Sequence, residues 1–503
     1  MLKTTSMQAL IEELRQQNAA QAAQIQALLA ENKLLQGKIH FLVRRLFGRK
    51  SEKLSRDQME LLLGDLGANV PDDDLPPTPP TPSRPRPGRD RKPRLPEDLP
   101  TEDVVIEPEA VKQDPSAYQC IGEEVTEELD VVPTRYFRRR IIRRKFTSKI
   151  NRDRPPVIAP LPPRLIEGGY ASAGLLTDIV LKKYVDHLPL HRQEQILRTR
   201  YGIELSRKTM CDWVRVVADW LTPIYNHIRE DLRRSGYLQV DETPVRYCGE
   251  EGGGSRQGYL WVFHRPGRDV LYEWYTSRAA ACLDGMLRDF RGTVQCDGYG
   301  AYSSYVKERD DILLAACWAH VRRKFHEARQ ECPTQAGWML NQIGHLYRIE
   351  RDLRGAGPRL RQAVRSAQSG MLLARIEKML KLKLNQHRPT SAMGSAIAYT
   401  LSLWPQLLRF RDDGRLEIDN NLVENAVRPT ALGKKNWMFI GHPEAGDRSA
   451  ILYTLLENCK RQGLNPREYL HDVLSRLPAM TNQQTQSLTP TNWLAARHKA
   501  HAA

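Results

Sequence analysis

Between residues 7 and 46 apolar side chains recur in a seven-residue repeat. Ile11, Asn18, Ile25, Asn32, Ile39 and Leu46 lie on one seam, and Met7, Leu14, Gln21, Leu28, Leu35 and Leu42 on the other. Such a narrow double seam predicts a coiled coil, since it is buried only against another helix. Asn18 and Asn32 stand where β-branched residues otherwise sit, and a buried Asn there pairs with its twin, so a parallel homodimer through residues 1–54 is expected. After a break at Gly48, residues 55–100 read as a short helix and a linker. The prolines from Pro71 to Pro100 favour extended polyproline conformations and deny that stretch a packed core.

The period then changes to two. Alternation from Glu124 to Lys145 predicts a small β-rich module over 101–165, in which Arg138, Arg139, Arg140, Arg143, Arg144 and Lys145 interleave with Tyr136, Phe137, Ile141 and Ile142. Basic side chains beside aromatics suit phosphate contact. Residues 166–232 return to a helical period. Within them, Leu188 to Val214 reads as a helix, a turn at Tyr201-Gly202-Ile203, and a second helix capped by Ser206 and opening on Arg207 and Lys208, which is the outline of a helix-turn-helix.

From Gly236 onward, short β-rich runs dominate. Tyr237–Asp241 predicts a strand ending in an acid, and Tyr259–Phe263 and Val270–Tyr275 predict two more strands around the turn Arg265-Pro266-Gly267. A helix over Ala279–Phe290 leads to a fourth strand, Gly292–Asp297, and this crossover places the fourth strand parallel to the first. Acids on the first and fourth strands of a β-β-β-α-β unit outline a ribonuclease H-like core. Such a core takes a third acid from a later helix, and two hard cations such as Mg²⁺ held by carboxylates stabilise both oxygens of an in-line phosphoryl transfer. The segment Ile418 to Pro429 reads as a helix start in which Asn420 or Asn421 caps and Arg428 lies one turn beyond Glu424 on the same face. Spacing alone leaves Glu417, Asp419 and Glu424 unranked.

Composition narrows the partners. At 503 residues, with 41% hydrophobic and 27% charged positions, several domains are expected. The 76 Lys and Arg against 60 Asp and Glu give a formal charge of +16, which attracts polyanions and makes nucleic acid the first partner to consider. Eight scattered cysteines without CxxC pairs argue against a secreted disulfide scaffold and for a reducing cytosol. No segment reaches the ~20 apolar residues of a membrane span, so a cytoplasmic protein is expected.

Four blocks carry a family resemblance. Val240-Asp241-Glu242-Thr243-Pro244-Val245, Gln295 to Tyr302, Cys317 to Phe325 and Asp419 to Arg428 resemble, in order and spacing, the transposases of the insertion sequence 66 family. Leu46 to Leu54 resembles that family's N-terminal block, and the helix-turn-helix-like region and the tail from Arg448 to Leu477 also fit. The resemblance implies that Asp241, Asp297 and Glu424 are the catalytic and metal-binding DDE acids, Glu424 being the acid of an Asn-Asn-x-x-Glu-Asn block. It also implies a helical insertion between the second Asp and the Glu. Gln335 to Phe410 reads mostly helical, so the fold class expected is α/β: a ribonuclease H-like core over 233–330 and 416–480, interrupted by an all-helical insertion over 331–415 and followed by a tail over 481–503. Cys317 and His320 match a Cys-x-x-His motif found in several DDE families. Two ligands are too few for structural zinc, which points to packing or DNA contact. The family commonly carries a four-cysteine zinc module after the linker, but only Cys120 remains here, so zinc is not expected.

The implied function is DNA transposition with two Mg²⁺ or Mn²⁺ ions: hydrolysis frees a 3′-hydroxyl at a transposon end, and the same site directs it onto target DNA. Arg322, Arg323, Lys324, Arg428, Lys434, Lys435 and Trp437 join the basic module as candidate DNA contacts. Accessory proteins of the same element are further expected partners. Two other readings use the same features: a non-catalytic DNA-binding regulator, and a nuclease of the same core that cleaves without joining.

Overall fold

The computed structural model describes residues 135–146, 157–249 and 254–502, together with Gln21. The heptad segment, the linker and most of the expected β-module lie outside the described residues. The chain divides into a unit over 1–133 and a unit over 134–503, and the sheet and its helices belong to the second.

The described part of the basic segment does not form the expected run of alternating strand. Its regular structure is one two-residue antiparallel pair, β1 (Lys145–Phe146) with β2 (Val157–Ile158). Phe137, Ile141 and Ile142 are exposed, so neither face of the alternation is buried to fix a sheet. Tyr136 alone anchors this stretch: its hydroxyl donates to Asp178 (3.0 Å) and accepts from Lys182 (2.7 Å).

Three helices follow, α1 (Ala173–Tyr184), α2 (Leu190–Tyr201) and α3 (Arg207–Arg233). α2 stops at Gly202, whose φ of 64° suits a residue without Cβ, and α3 starts where Ser206 Oγ accepts from Thr209 N at 3.1 Å. Met210, Trp213, Val214, Val217, Leu221, Ile224 and Ile228 recur at helical spacing along α3 and bury one continuous stripe.

That stripe backs a mixed sheet. β3 (Tyr237–Cys248), β4 (Ser255–His264) and β5 (Val270–Tyr275) form the antiparallel meander, while β6 (Gly292–Cys296) and β7 (Ile312–Ala316) add parallel strands on the other side of β3. The order is β5-β4-β3-β6-β7, with β8 (Phe439–Ile440) pairing the far end of β3. The crossover is shorter than the helix expected over Ala279–Phe290, being a 3₁₀ turn (Ala280–Leu283) and one helical turn, α4 (Asp284–Leu287). Arg229 (2.7 Å) and Arg233 both donate to the Gly285 carbonyl, so that acceptor serves α3 instead of a lengthening helix. α5 (Gly300–Val306) joins β6 to β7, and α6 (Trp318–Glu327) follows β7.

Helices fill most of residues 331–415: α7 (Pro333–Asp352), α8 (Pro358–Val364), α9 (Gly370–Lys383), α10 (Ala392–Ser402) and α11 (Trp404–Asp412), with a π-turn at Arg365–Ser369 linking α8 to α9. They bury their own cluster, including Met339, Ile343, Ile376, Ile397 and Leu407, onto Trp318 and Phe325 of α6. The chain returns to the sheet through α12 (Asn421–Trp437) and α13 (Glu444–Arg461). α13 closes the β5 edge with side chains: Asn458 bonds both the N–H and the carbonyl of Val270 (2.9 and 2.8 Å), and Thr454 accepts from Tyr272 N (3.0 Å). α14 (Pro466–Arg476) follows. The last residues are more than a tail, because α15 (Pro490–Ala502) packs back, with Leu488 and Trp493 buried and Trp493 Nε1 donating to Asp472 at 2.8 Å. No described helix is long and apolar enough to cross a membrane.

Candidate functional site

The register of β3 with β6 brings two of the three acids together. Their last paired residues are Gln239 and Gln295. Asp241 and Asp297 each lie two positions further along: β3 runs on to Cys248, so Asp241 lies inside its strand instead of ending it as expected, whereas Asp297 is the residue after β6, and its charge reaches Asp241.

A buried amide network ties the third acid to the same strands. Gln239 Nε2 donates to the Asp419 carbonyl (2.8 Å) and to Gln295 Oε1 (2.9 Å), while Gln239 Oε1 accepts from Val423 N (3.3 Å). Gln295 Nε2 donates to the Glu417 carbonyl (2.8 Å), and the Tyr237 hydroxyl donates to Gln295 Oε1 (2.6 Å) while accepting from Glu417 N (3.0 Å). The chain entering α12 is thus hydrogen-bonded to the two residues that precede Asp241 and Asp297 by two places. Glu424 sits in the first turn of that helix.

The acids that spacing leaves unranked have different surroundings. Glu417 is paired with Arg361 (3.0 Å). Asp419 is buried and caps α12, accepting from Asn421 N (3.1 Å) and from the Tyr347 hydroxyl (2.7 Å). This cap differs from the expected Asn420 or Asn421 side chain, because Asn420 is fully buried and turns its side chain into the interior. Glu424 stays partly exposed, and its charge reaches Asp241.

Asp241 carries the electrostatic cost of this convergence. Burial, reinforced by the charges of Glu242, Asp297 and Glu424, pushes its carboxyl up to about 7, against a hydrogen bond from Glu242 N at 3.0 Å. Glu242, which the sequence does not single out as a functional acid, points to the opposite face of β3 and is paired there with Arg278. Arg278 donates to it through Nε (2.7 Å) and Nη2, and the Tyr302 hydroxyl donates at 2.5 Å. The Arg278 guanidinium lies 3.7 Å over the Tyr299 ring. Nothing near Arg278 in sequence marks it, since only the fold brings it to Glu242.

Two more groups reach the acids from outside the strands. Among the described residues, Cys317, His320 and Glu424 bring one potential ligand atom each within 4.8 Å of one another, so Glu424 adds a third group to the Cys-x-x-His pair. Burial pushes the Cys317 thiol up to about 12. Tyr399, from the helical insertion, packs against Gly298, where a Cβ would stand 2.9 Å from its ring. Burial and the Asp297 charge push its hydroxyl up to about 12.

The remaining candidates are spread over the surface. Arg138, Arg139, Arg140, Arg144 and Lys145 are exposed along the segment before β1, and Arg143, also exposed, donates to the Ala159 carbonyl at 3.1 Å. Arg207 and Lys208 are exposed in the first turn of α3, as are Arg322 and Arg323 on α6, whereas Lys324 is half-buried with its ammonium 5.9 Å from the Tyr399 ring centre. Arg428 is exposed and forms no ion pair with Glu424. The Lys434 ammonium is tied to Thr243 Oγ1 and the Pro244 carbonyl, both at 3.1 Å, while Lys435 is exposed. Trp437 packs partly into the main core.

A mixed α/β protein emerges, with a central sheet flanked by many helices and with acids gathered where the parallel pairing of β3 with β6 ends. Residues 168–448 match the family described as Transposase IS66 family, residues 454–491 match the IS66 C-terminal element, and residues 34–104 match Transposase C of IS166 homeodomain. Relatives occur in Sinorhizobium fredii (strain NBRC 101917 / NGR234). Uncharacterized protein y4jD is 35% identical over 487 residues, covering 92% of this chain and 94% of the relative. Uncharacterized protein y4qI is 33% identical over 408 residues, covering 77% and 75%. The chain belongs to the IS66 family of transposases.

Proposed function

We propose that this transposase cuts and rejoins DNA in a ribonuclease H-like core, with Asp241, Asp297 and Glu424 holding two Mg²⁺ or Mn²⁺ ions. The donor set fits such ions, because carboxylate oxygens are what hard divalent cations take, and a cation relieves the repulsion that raises Asp241. When bound, a pair of ions supplies positive charge to the attacking and leaving oxygens of an in-line phosphoryl transfer. Asp241 and Asp297 would hold the ions from the sheet side, and Glu424 would complete the donor set from α12. The Gln239 and Gln295 amides keep these elements in register, and Arg278 keeps the Glu242 charge from adding fully to that of the cluster.

Arg322, Arg323, Arg428 and Lys435 border the acids in sequence or helix position and serve as phosphate contacts. Lys324, Lys434 and Trp437 support them from half-buried positions. The α2–α3 pair, with Arg207 and Lys208, acts as a helix-turn-helix, and Arg138, Arg139, Arg140, Arg143, Arg144 and Lys145 hold the DNA backbone. The heptad segment joins two copies so that two transposon ends are held together.

The observation that carries this reading is the hydrogen-bonding of the α12 entry to both acid-bearing strands. Its test is incubation of the full chain and of Asp241→Asn, Asp297→Asn and Glu424→Gln with labelled transposon-end DNA and Mg²⁺, with products sized on a denaturing gel. Cleavage and joined products are expected from the unaltered chain only, with DNA binding retained by all four proteins. Full cleavage by any variant would remove that residue from the site.

A further inference from the structure

The Cys-x-x-His pair takes no part in that chemistry, yet both residues converge on the segment that carries Glu424. Cys317 is the residue before α6 and is buried; its sulfur accepts a hydrogen bond from Asn420 N at 3.5 Å. Next to it, Trp318 N donates to the Ile418 carbonyl at 3.2 Å, and Trp318 Nε1 donates to the Leu407 carbonyl at 3.0 Å. The start of α6 therefore fixes the backbone on both sides of Asp419.

Three residues after Cys317, on the same face of the helix, His320 places Nε2 3.7 Å from Glu424 Oε1. Its side chain is 16% exposed and that of Glu424 41%. The other ring nitrogen, Nδ1, is buried with no hydrogen-bond partner. A neutral imidazole carries one N–H and one lone pair, and a buried N–H without an acceptor is costlier to leave than an under-used lone pair. That asymmetry puts the proton on Nε2, facing the carboxylate.

We infer that His320 is a positioning residue for Glu424: its Nε2–H restrains one carboxylate oxygen and leaves the other free, while Cys317 holds the backbone from which Glu424 projects. The role rests on the metal-site reading of Glu424. It accounts for the spacing of the motif, because positions i and i+3 at a helix start reach two successive points of one neighbouring segment. At 3.7 Å the pair is a charge–dipole contact beyond hydrogen-bond length, and the role requires it to shorten when the carboxylate is fixed from its other side.

Two measurements on the full chain test it. In metal-free protein, nitrogen NMR of labelled histidine, with the His320 signals identified by their loss in His320→Gln, is expected to show the Nε2–H tautomer and a shift of those signals in Glu424→Gln. A proton on Nδ1, or signals indifferent to Glu424→Gln, overturns the contact. In the second, Mn²⁺ alone is titrated into the unaltered chain, His320→Ala, His320→Gln and Glu424→Gln. Removing an outer partner of a metal ligand commonly weakens affinity about 10-fold or more, so His320→Ala is expected to bind the Glu424-dependent ion about 10-fold more weakly. His320→Gln, whose amide N–H still reaches the carboxylate, recovers most of the loss. Unchanged affinity in His320→Ala overturns the role, and so does a Gln variant as weak as Ala, because His320 would then be a ligand itself. Should Glu424→Gln leave Mn²⁺ affinity unchanged while the NMR contact holds, the metal reading of Glu424 fails and the His320–Glu424 contact stands.

Discussion

Asp241 and Glu242 are adjacent in the chain and opposite in environment. A strand turns successive side chains to opposite faces, so Glu242 meets Arg278 and Tyr302 while Asp241 meets the other acids. With its folded value at about 7 and its unfolded value near 4, Asp241 binds a proton more tightly in the native state. Its contribution therefore becomes unfavourable as pH rises from about 4 to 7, and above 7 the fold carries the full cost of the charge. Without divalent ions, Asp241→Asn is expected to be more stable than the unaltered chain at pH 8, by roughly 1 to 4 kcal/mol, with the gap closing toward pH 4. Saturating Mg²⁺ reverses the order, because only the carboxylate binds the ion. Thermal melts at pH 5 and pH 8, with chelator and with Mg²⁺, check both signs; equal melting temperatures in chelator at pH 8 contradict the assignment of Asp241 to a crowded acid cluster.

At the scale of elements, the decisive contact joins one helix to two strands. Gln239 is fully buried and bonds Asp419, Gln295 and Val423 at once. Gln239→Ala leaves several buried groups unpaired, at about 1 to 3 kcal/mol each, so a loss of about 3 kcal/mol or more is expected in urea unfolding. Cleavage should fall further than the lost stability explains, measured under conditions where the variant remains folded, because α12 is no longer registered to β3. Cleavage unchanged in a folded Gln239→Ala chain would show that Glu424 is positioned without this network. Strands β3 to β6 are legible in sequence from their β-rich runs and turn residues, and so are the insertion helices from their period, whereas β7 and the two-residue β8 are not singled out there. Two elements depart from expectation. The crossover is short because the Gly285 carbonyl is engaged by Arg229 and Arg233, and the described part of the basic alternation before β1 lacks a buried face to hold a strand. Neither cause is local, so neither has a local pattern.

For the whole molecule, the C-terminal residues have a larger part than their position suggests. Trp493 packs edge-to-face on Tyr469, with ring centres 5.6 Å apart, and Leu488 accepts from the Tyr469 hydroxyl at 2.7 Å. α13, which closes the β5 edge, leads directly into α14, on which Tyr469 sits. Trp493→Ala is expected to cost about 3 kcal/mol in urea unfolding. A loss below about 0.5 kcal/mol would show that α15 is dispensable to the fold. In sequence these residues read as a tail because a single buried Trp in a short polar helix gives almost no periodic signal.

The meander with its parallel fourth strand, the acids carried on or just after the first and fourth strands, and the helical interruption before Glu424 are written in the sequence, because each follows from periodicity, turn chemistry or a local block of residues, whereas the continuation of β3 past Asp241 to Cys248 is not. The choice of Glu424 over Glu417 and Asp419 comes there from family resemblance, with spacing silent. What only the tertiary structure decided is which charges meet: Arg361 at Glu417, Tyr347 at Asp419, Arg278 at Glu242, and His320 with Asp241 around Glu424. These partners lie tens to hundreds of positions apart. Electrostatic environment depends on distance in space and on burial, and neither is fixed until the sheet, the insertion and α12 have packed together.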